Sequence, residues 1–155
     1  LCNKYGMTPD QVRENWQTIT SRGKDVGFDF NFTAESQKWN TFNAHRLLSW
    51  AATQGRQLDL KMALLEAYFT DNRNVDDTEV LVQVAASTGL NADYARAVLT
   101  SEQFALEVRE EEQQWQEMGV RSVPTMVFNQ RYAVSGGQPP GSLVQVLRKV
   151  ASDPS

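Results

Sequence analysis

The feature that most constrains how this chain can fold is a change of period at Gly119. Before it, apolar residues recur at spacings of three and four between helix-capping and helix-ending residues. After it come a short apolar run with β-branched members, Pro124-Thr125-Met126-Val127-Phe128, then Asn129-Gln130 and a second run, Tyr132-Ala133-Val134. Two short runs around a turn-forming pair predict a β-hairpin. Ser135-Gly136-Gly137 and Pro139-Pro140 break the pattern, and Leu143, Val144, Leu147 and Val150 restore the helical period in a closing amphipathic helix. The fold class that follows is a mostly helical chain with one hairpin set before its last helix.

Upstream of Gly119 the capping signals predict a series of helices. Thr8-Pro9-Asp10-Gln11 combines a capping hydroxyl, a proline at the first helical position and a glutamine three residues after the cap, so a helix starts at Pro9 with Val12, Trp16 and Ile19 on one face. Gly23 and Gly27 bracket its end, and Phe28-Asp29-Phe30-Asn31-Phe32 is a short extended segment that lays its rings on a core. Asn40 caps a helix that buries Phe42, Leu47, Leu48 and Ala51. The next runs from about Gln57 to Phe69 and buries Leu58, Met62, Leu65 and Phe69. Asp76 or Asp77 caps a helix carrying Val80, Leu81 and Val84 and closing at Gly89. Asn91 caps another with Tyr94, Ala95, Val98 and Leu99, and Ser101 caps a long one with Phe104, Val108, Trp115 and Met118 on one stripe. Short connections make these helices antiparallel neighbours in a bundle.

Composition limits the function classes. The 155 residues are 41% hydrophobic and 22% charged, an ordinary core-forming balance, and the net charge of -4 leaves the basic residues scattered among acids, which argues against a nucleic-acid partner. The acidic run from Glu107 to Glu112 reads as a solvated helix face. No stretch approaches the roughly 20 apolar residues that span a bilayer, so no membrane association is expected. With one cysteine, Cys2, and one histidine, His45, an intramolecular disulfide and a structural zinc site are excluded, and no metal is expected.

A long helix followed by Gly119-Val120, Ser122-Val123-Pro124-Thr125-Met126-Val127-Phe128, a hairpin, a glycine pair and a last helix resembles the C-terminal half of a DsbA-type, thioredoxin-fold thiol-disulfide oxidoreductase. Lys4-Tyr5-Gly6-Met7-Thr8-Pro9-Asp10-Gln11, Asn40-Thr41-Phe42-Asn43-Ala44-His45-Arg46-Leu47 and Tyr132-Ala133-Val134-Ser135-Gly136-Gly137-Gln138-Pro139-Pro140 are similar to its FrnE-like branch, which is related to hydroxychromene-carboxylate isomerases and kappa-class glutathione transferases. The resemblance implies an α/β thioredoxin-like fold with a large all-α insert: residues 1–7 as the tail of a linker, 8–100 as the helical insert and 101–155 as the C-terminal half of the thioredoxin-like domain. It implies a cytoplasmic oxidoreductase or disulfide isomerase acting on protein or small thiols, with no bound cofactor and with glutathione as a possible redox partner. The family's first strand, its Cys-x-x-Cys at a helix N-terminus and its next central strands are expected upstream of Leu1. Without them this chain is expected to be redox-inactive, because the helix N-terminus is what makes the attacking thiolate. A hairpin deprived of central strands presents a bare edge, and a homodimer through that edge is one expected consequence.

The resemblance also names candidate site residues. Pro124 corresponds to the family's cis-proline, and Val123 before it would turn its N–H and C=O toward an extended substrate segment, as in strand addition. His45, Asn40 and Arg46 are supporting candidates. His45 could tune a thiol or relay a proton, or simply make a hydrogen bond between domains. Asn40 is most simply a helix cap, and Arg46 most simply an ion-pair partner of acidic residues in the insert. Trp16, Trp39, Trp50 and Trp115 with Phe28, Phe30 and Phe32 read as core, the alternative being a groove for unfolded peptide. Two further functions stay open: a glutathione-dependent isomerase or transferase on the same fold, disfavoured by Gly136-Gly137 after the final strand, and a non-catalytic peptide-binding module.

Overall fold

A computed structural model describes residues 8–33 and 36–153. Among them are seven helices and one hairpin: α1 (Pro9–Asp25), α2 (Phe42–Thr53), α3 (Gln57–Phe69), α4 (Thr78–Ser87), α5 (Ala92–Thr100), α6 (Ala105–Glu117), β1 (Thr125–Phe128), β2 (Tyr132–Ser135) and α7 (Pro140–Ser152). The chain divides into two compact units, one ending at Val108 and one beginning at Arg109. No helix among the described residues is long and apolar enough to cross a membrane.

In the first unit, local signals set the helix starts. Thr8 and Gln11 close a reciprocal capping box on α1, the Gln11 N–H donating to Thr8 Oγ1 at 3.3 Å and the Thr8 N–H to Gln11 Oε1 at 2.8 Å. Asp77 accepts from the Glu79 and Val80 amides at the head of α4, and Asn91 from the Tyr94 amide at the head of α5. The four helices α2 to α5 pack as a ring, α2 on α3, α3 on α4, α4 on α5 and α5 back on α2. Their shared core contains Leu47, Leu60, Leu81 and Val98, each fully buried, with Trp50, Leu64, Val84, Ala95 and Leu99 around them.

Three buried faces differ from the sequence reading. Along α3 the residues facing inward are Leu60, Leu64 and Ala67, while Leu58 and Met62 are exposed. Apolar residues surround this helix, so periodicity alone selects no face, and packing against α2 and α4 decides it. On α5 the ring of Tyr94 is exposed, since Ala95, Val98 and Leu99 already fill the inward stripe. The long helix expected from Ser101 begins later: Ser101 is the C-cap of α5, Phe104 has φ +59°, and α6 starts at Ala105. Its stripe is split, because Val108 is buried while Trp115 and Met118 are nearly half exposed. The ring-bearing segment at Phe28 to Phe32 belongs to no helix and no sheet among the described residues.

In the second unit, α6 ends at Gly119 (φ +86°) with the Val120 N–H donating to Trp115 O and the Gly119 N–H to Gln116 O, the paired bonds of a Schellman stop. The hairpin pairs Thr125 with Ser135 and Phe128 with Tyr132. Asn129 and Gln130 both have positive φ, 51° and 56°, and the Arg131 N–H donates to Phe128 O, so the turn has the hand that matches strand twist. The Tyr132 hydroxyl donates to Asp153, fastening β2 to the residue after α7. On α7 Val150 is buried and Leu143 half-buried, whereas Val144 and Leu147 are exposed, which narrows the predicted apolar face.

Candidate functional site

The candidate site in the second unit is the turn that delivers the chain from α6 into β1. Two side-chain and main-chain bonds fix its far end: Thr125 Oγ1 donates to Ser122 O at 2.6 Å, and the Gly136 N–H donates to Pro124 O at 2.8 Å, extending the hairpin ladder by one bond. The Val123–Pro124 peptide bond is cis. Between these anchors, the side chain of Val123 is 90% exposed, and neither its N–H nor its carbonyl has a partner among the described residues. An unpaired donor and acceptor on one residue at the mouth of a strand is what an added extended chain requires.

The three other candidates lie in the first unit and do different things. Asn40 does not occupy the N-cap position, which falls to Thr41. Its Oδ1 accepts instead from the Phe42 N–H at 3.0 Å, closing the turn just before α2. His45 is exposed on α2. Arg46, the next residue, points the other way and is 4% exposed. Among the described residues it has no ion-pair partner. Its guanidinium donates from Nε to Gln103 O at 2.9 Å, from Nη1 to Asn43 Oδ1 at 3.0 Å, and from Nη2 to both Val98 O and Ser101 O. Val98 and Ser101 supply carbonyls at the C-terminal end of α5, where the helix dipole is negative, so the buried cation is balanced by carbonyl dipoles in place of a carboxylate. Only the fork of a guanidinium reaches so many acceptors at once. Arg46 therefore fixes the turn between α5 and α6, and Asn43 one turn earlier on α2 is the only local signal in the sequence that accompanies it.

Cys2 lies outside the described residues. Among the described residues no group of three His, Cys, Asp or Glu side chains is placed to hold a metal ion.

Comparison with known proteins decides the family. The profile of the DSBA-like thioredoxin domain matches residues 3–148, nearly the whole chain. The chain belongs to the DsbA-like thioredoxin family. Its backbone is also similar to that of a probable DsbA oxidoreductase from Streptomyces coelicolor, with a TM-score of 0.92 and 33% identity over 100% of this chain and 67% of that one. A protein from Nitrosomonas europaea provisionally assigned as a disulfide isomerase shares the fold, with a TM-score of 0.73 and 18% identity over 96% of this chain and 78% of that one. No curated protein matches. Within this DsbA-like chain, the Val123 turn and the hairpin fall in the C-terminal stretch whose motif first carried the resemblance, and α1 to α5 form the helical part.

Proposed function

We propose that this chain supplies the substrate-receiving part of a FrnE-type thiol-disulfide oxidoreductase or disulfide isomerase. The observation that carries this reading is Val123, exposed at the head of β1 with an N–H and a C=O that have no partner among the described residues. An extended stretch of a protein substrate pairs there through its main chain, so selection is by backbone shape before side-chain identity. The 155 residues contain one cysteine and hence no Cys-x-x-Cys. The attacking thiolate of the proposed reaction belongs to a segment outside them, and Val123 and Pro124 position the disulfide-bearing strand in front of it.

A photo-cross-linking experiment tests the docking step. With p-benzoylphenylalanine at position 123, irradiation in the presence of a reduced, unfolded protein gives a covalent adduct, and the same group at the exposed position 58 on α3 gives none. Equal labelling from both positions would remove the reason for placing substrate at Val123.

A further inference from the structure

The segment after α1 has an edge that no role described so far uses. Residues 28–33 lie outside any helix or sheet among the described residues; the rings of Phe28, Phe30 and Phe32 neighbour one another at centroid distances of 4.7 and 5.5 Å, the every-second-residue pattern of an extended chain, and one side of the backbone is tied to the end of α3. The Asn31 N–H donates to Phe69 O at 2.9 Å, the Asn31 carbonyl accepts from Asn72 Nδ2 at 2.7 Å, and the Asp29 carbonyl accepts from Thr70 Oγ1 at 2.6 Å. Asn31 Nδ2 adds a bond to Thr70 O at 2.8 Å. In extended chain, successive peptide groups point to opposite sides, so those of Phe30 and Phe32 are directed away from α3. Neither residue has a backbone hydrogen bond among the described residues. The segment is held as the edge strand of a sheet is held, bonded on one side and open on the other.

That segment borders a groove of about 500 Å³ whose other wall is α1. Arg13 and Lys24 stand toward its two ends, with Trp16 and Gln17 between them. Its apolar part is a set of stacked rings: Trp16 lies on Phe32 with centroids 5.5 Å apart and planes within 11°, and Phe32 on Phe30 at 5.5 Å and 12°. Phe30 is seated against Gly23, where an added Cβ would meet its ring at 2.5 Å, so ring and helix are in close contact. The eleven steps from Arg13 to Lys24 correspond to about 16 Å of helix. An extended peptide covers that length in about five residues. In a chain of net charge -4, two cations at the ends of an apolar groove favour an acidic occupant. Arg13 has an aspartate neighbour, Asp10, at 3.4 Å, but both are largely exposed and an incoming carboxylate competes with such a pair at little cost.

We propose that this groove docks an extended polypeptide segment of about five residues, acidic toward both ends and apolar or aromatic in the middle, which adds as a strand to the open edge of Phe30 and Phe32. The main-chain bonds hold the segment, the ring stack receives its central side chain, and Arg13 and Lys24 fix its register. This is a second peptide site, in the first unit, and it stands or falls independently of the Val123 turn.

The test uses the 155-residue protein and a fluorescein-labelled peptide, acetyl-Glu-Val-Phe-Val-Glu-amide with a glycine spacer. Two control peptides accompany it, one with lysine for both glutamates and one with methylated backbone nitrogens. Anisotropy is expected to show saturable binding of the acidic peptide, weakened about tenfold or more for either control and for the Arg13→Glu/Lys24→Glu protein, whose circular dichroism stays that of the parent. In a proton–nitrogen correlation spectrum the Phe30 and Phe32 amides are expected to move downfield on binding, while the Asn31 amide, already bonded to Phe69 O, stays in place. Absence of saturable binding up to about 1 mM, equal binding of the lysine peptide, or binding that leaves the Phe30 and Phe32 amides unmoved would each overturn the proposal.

Discussion

Replacing Arg46 by methionine removes four donated hydrogen bonds while keeping most of the side-chain volume. Its acceptors, the carbonyls of Val98, Ser101 and Gln103 and the Oδ1 of Asn43, remain in place. The bond to Val98 O is buried, but that carbonyl keeps a second donor, the Ser101 hydroxyl at 3.2 Å, and the other three bonds are only partly buried, so water can reach their acceptors. With no acceptor left wholly unsatisfied, each lost bond costs about 0.5–1 kcal/mol, and the relief from no longer burying a charge offsets part of the sum. The net expected loss is about 2 kcal/mol, a substantial share of the roughly 5–15 kcal/mol that stabilises a domain. Urea unfolding followed by circular dichroism reads it directly. Arg46→Lys retains the charge but not the fork and is expected to fall between the parent and the methionine variant. A methionine variant within about 0.5 kcal/mol of the parent would refute the reasoning, because the carbonyls at the end of α5 would then need no guanidinium donor.

Leu64→Ala on the buried side of α3 is expected to destabilise by about 2–4 kcal/mol, whereas Leu58→Ala, at an exposed position of the same helix, changes stability by less than about 0.5 kcal/mol; thermal unfolding of the pair checks which face is buried. Gly23→Ala places a methyl 2.5 Å from the Phe30 ring and 2.6 Å from the Phe28 carbonyl oxygen. Despite a gain of about 1 kcal/mol in helix propensity, a net loss is expected, with altered aromatic resonances for Phe30. The Glu79 carboxyl is held below its ordinary range by the hydrogen bond from Arg96, aided by that residue's charge. A depressed carboxyl contributes stability above its unfolded-state value and loses it as pH falls through the folded-state value, so parent and Arg96→Gln should differ most near neutral pH and converge in acid. Both side chains are exposed, and added salt should shrink the difference.

The helical unit was legible where short-range chemistry decides its form. The Thr8 capping box, the Asp77 and Asn91 caps and the bounds of α3 follow from residues within a turn of one another, as does the hairpin turn at Asn129 and Gln130. The buried face of α3 was not legible, because apolar residues surround the helix and only its neighbours select Leu60 and Leu64. Nor was Arg46. Its partners lie more than fifty residues away along the chain, apart from Asn43, and they are main-chain carbonyls that leave no mark in the sequence. Ser101 carries the residue type of an N-cap yet ends α5, since those same bonds hold the turn after it and delay α6 to Ala105. At the candidate site, the sequence pointed to Val123 and Pro124 through the resemblance of their surroundings. The unpaired backbone of Val123 became visible only once every neighbouring hydrogen bond could be placed.

The central claim is that substrate main chain pairs with Val123, and the amide of that residue reports on it directly. A proton–nitrogen correlation spectrum is recorded as a neutral, extended peptide with an alkylated central cysteine is added to the 155-residue protein. A saturable downfield shift of the Val123 amide is expected, with the Gly136 amide, already bonded to Pro124 O, nearly unchanged. A spectrum in which the peptide binds while the Val123 amide stays at its free position would contradict it.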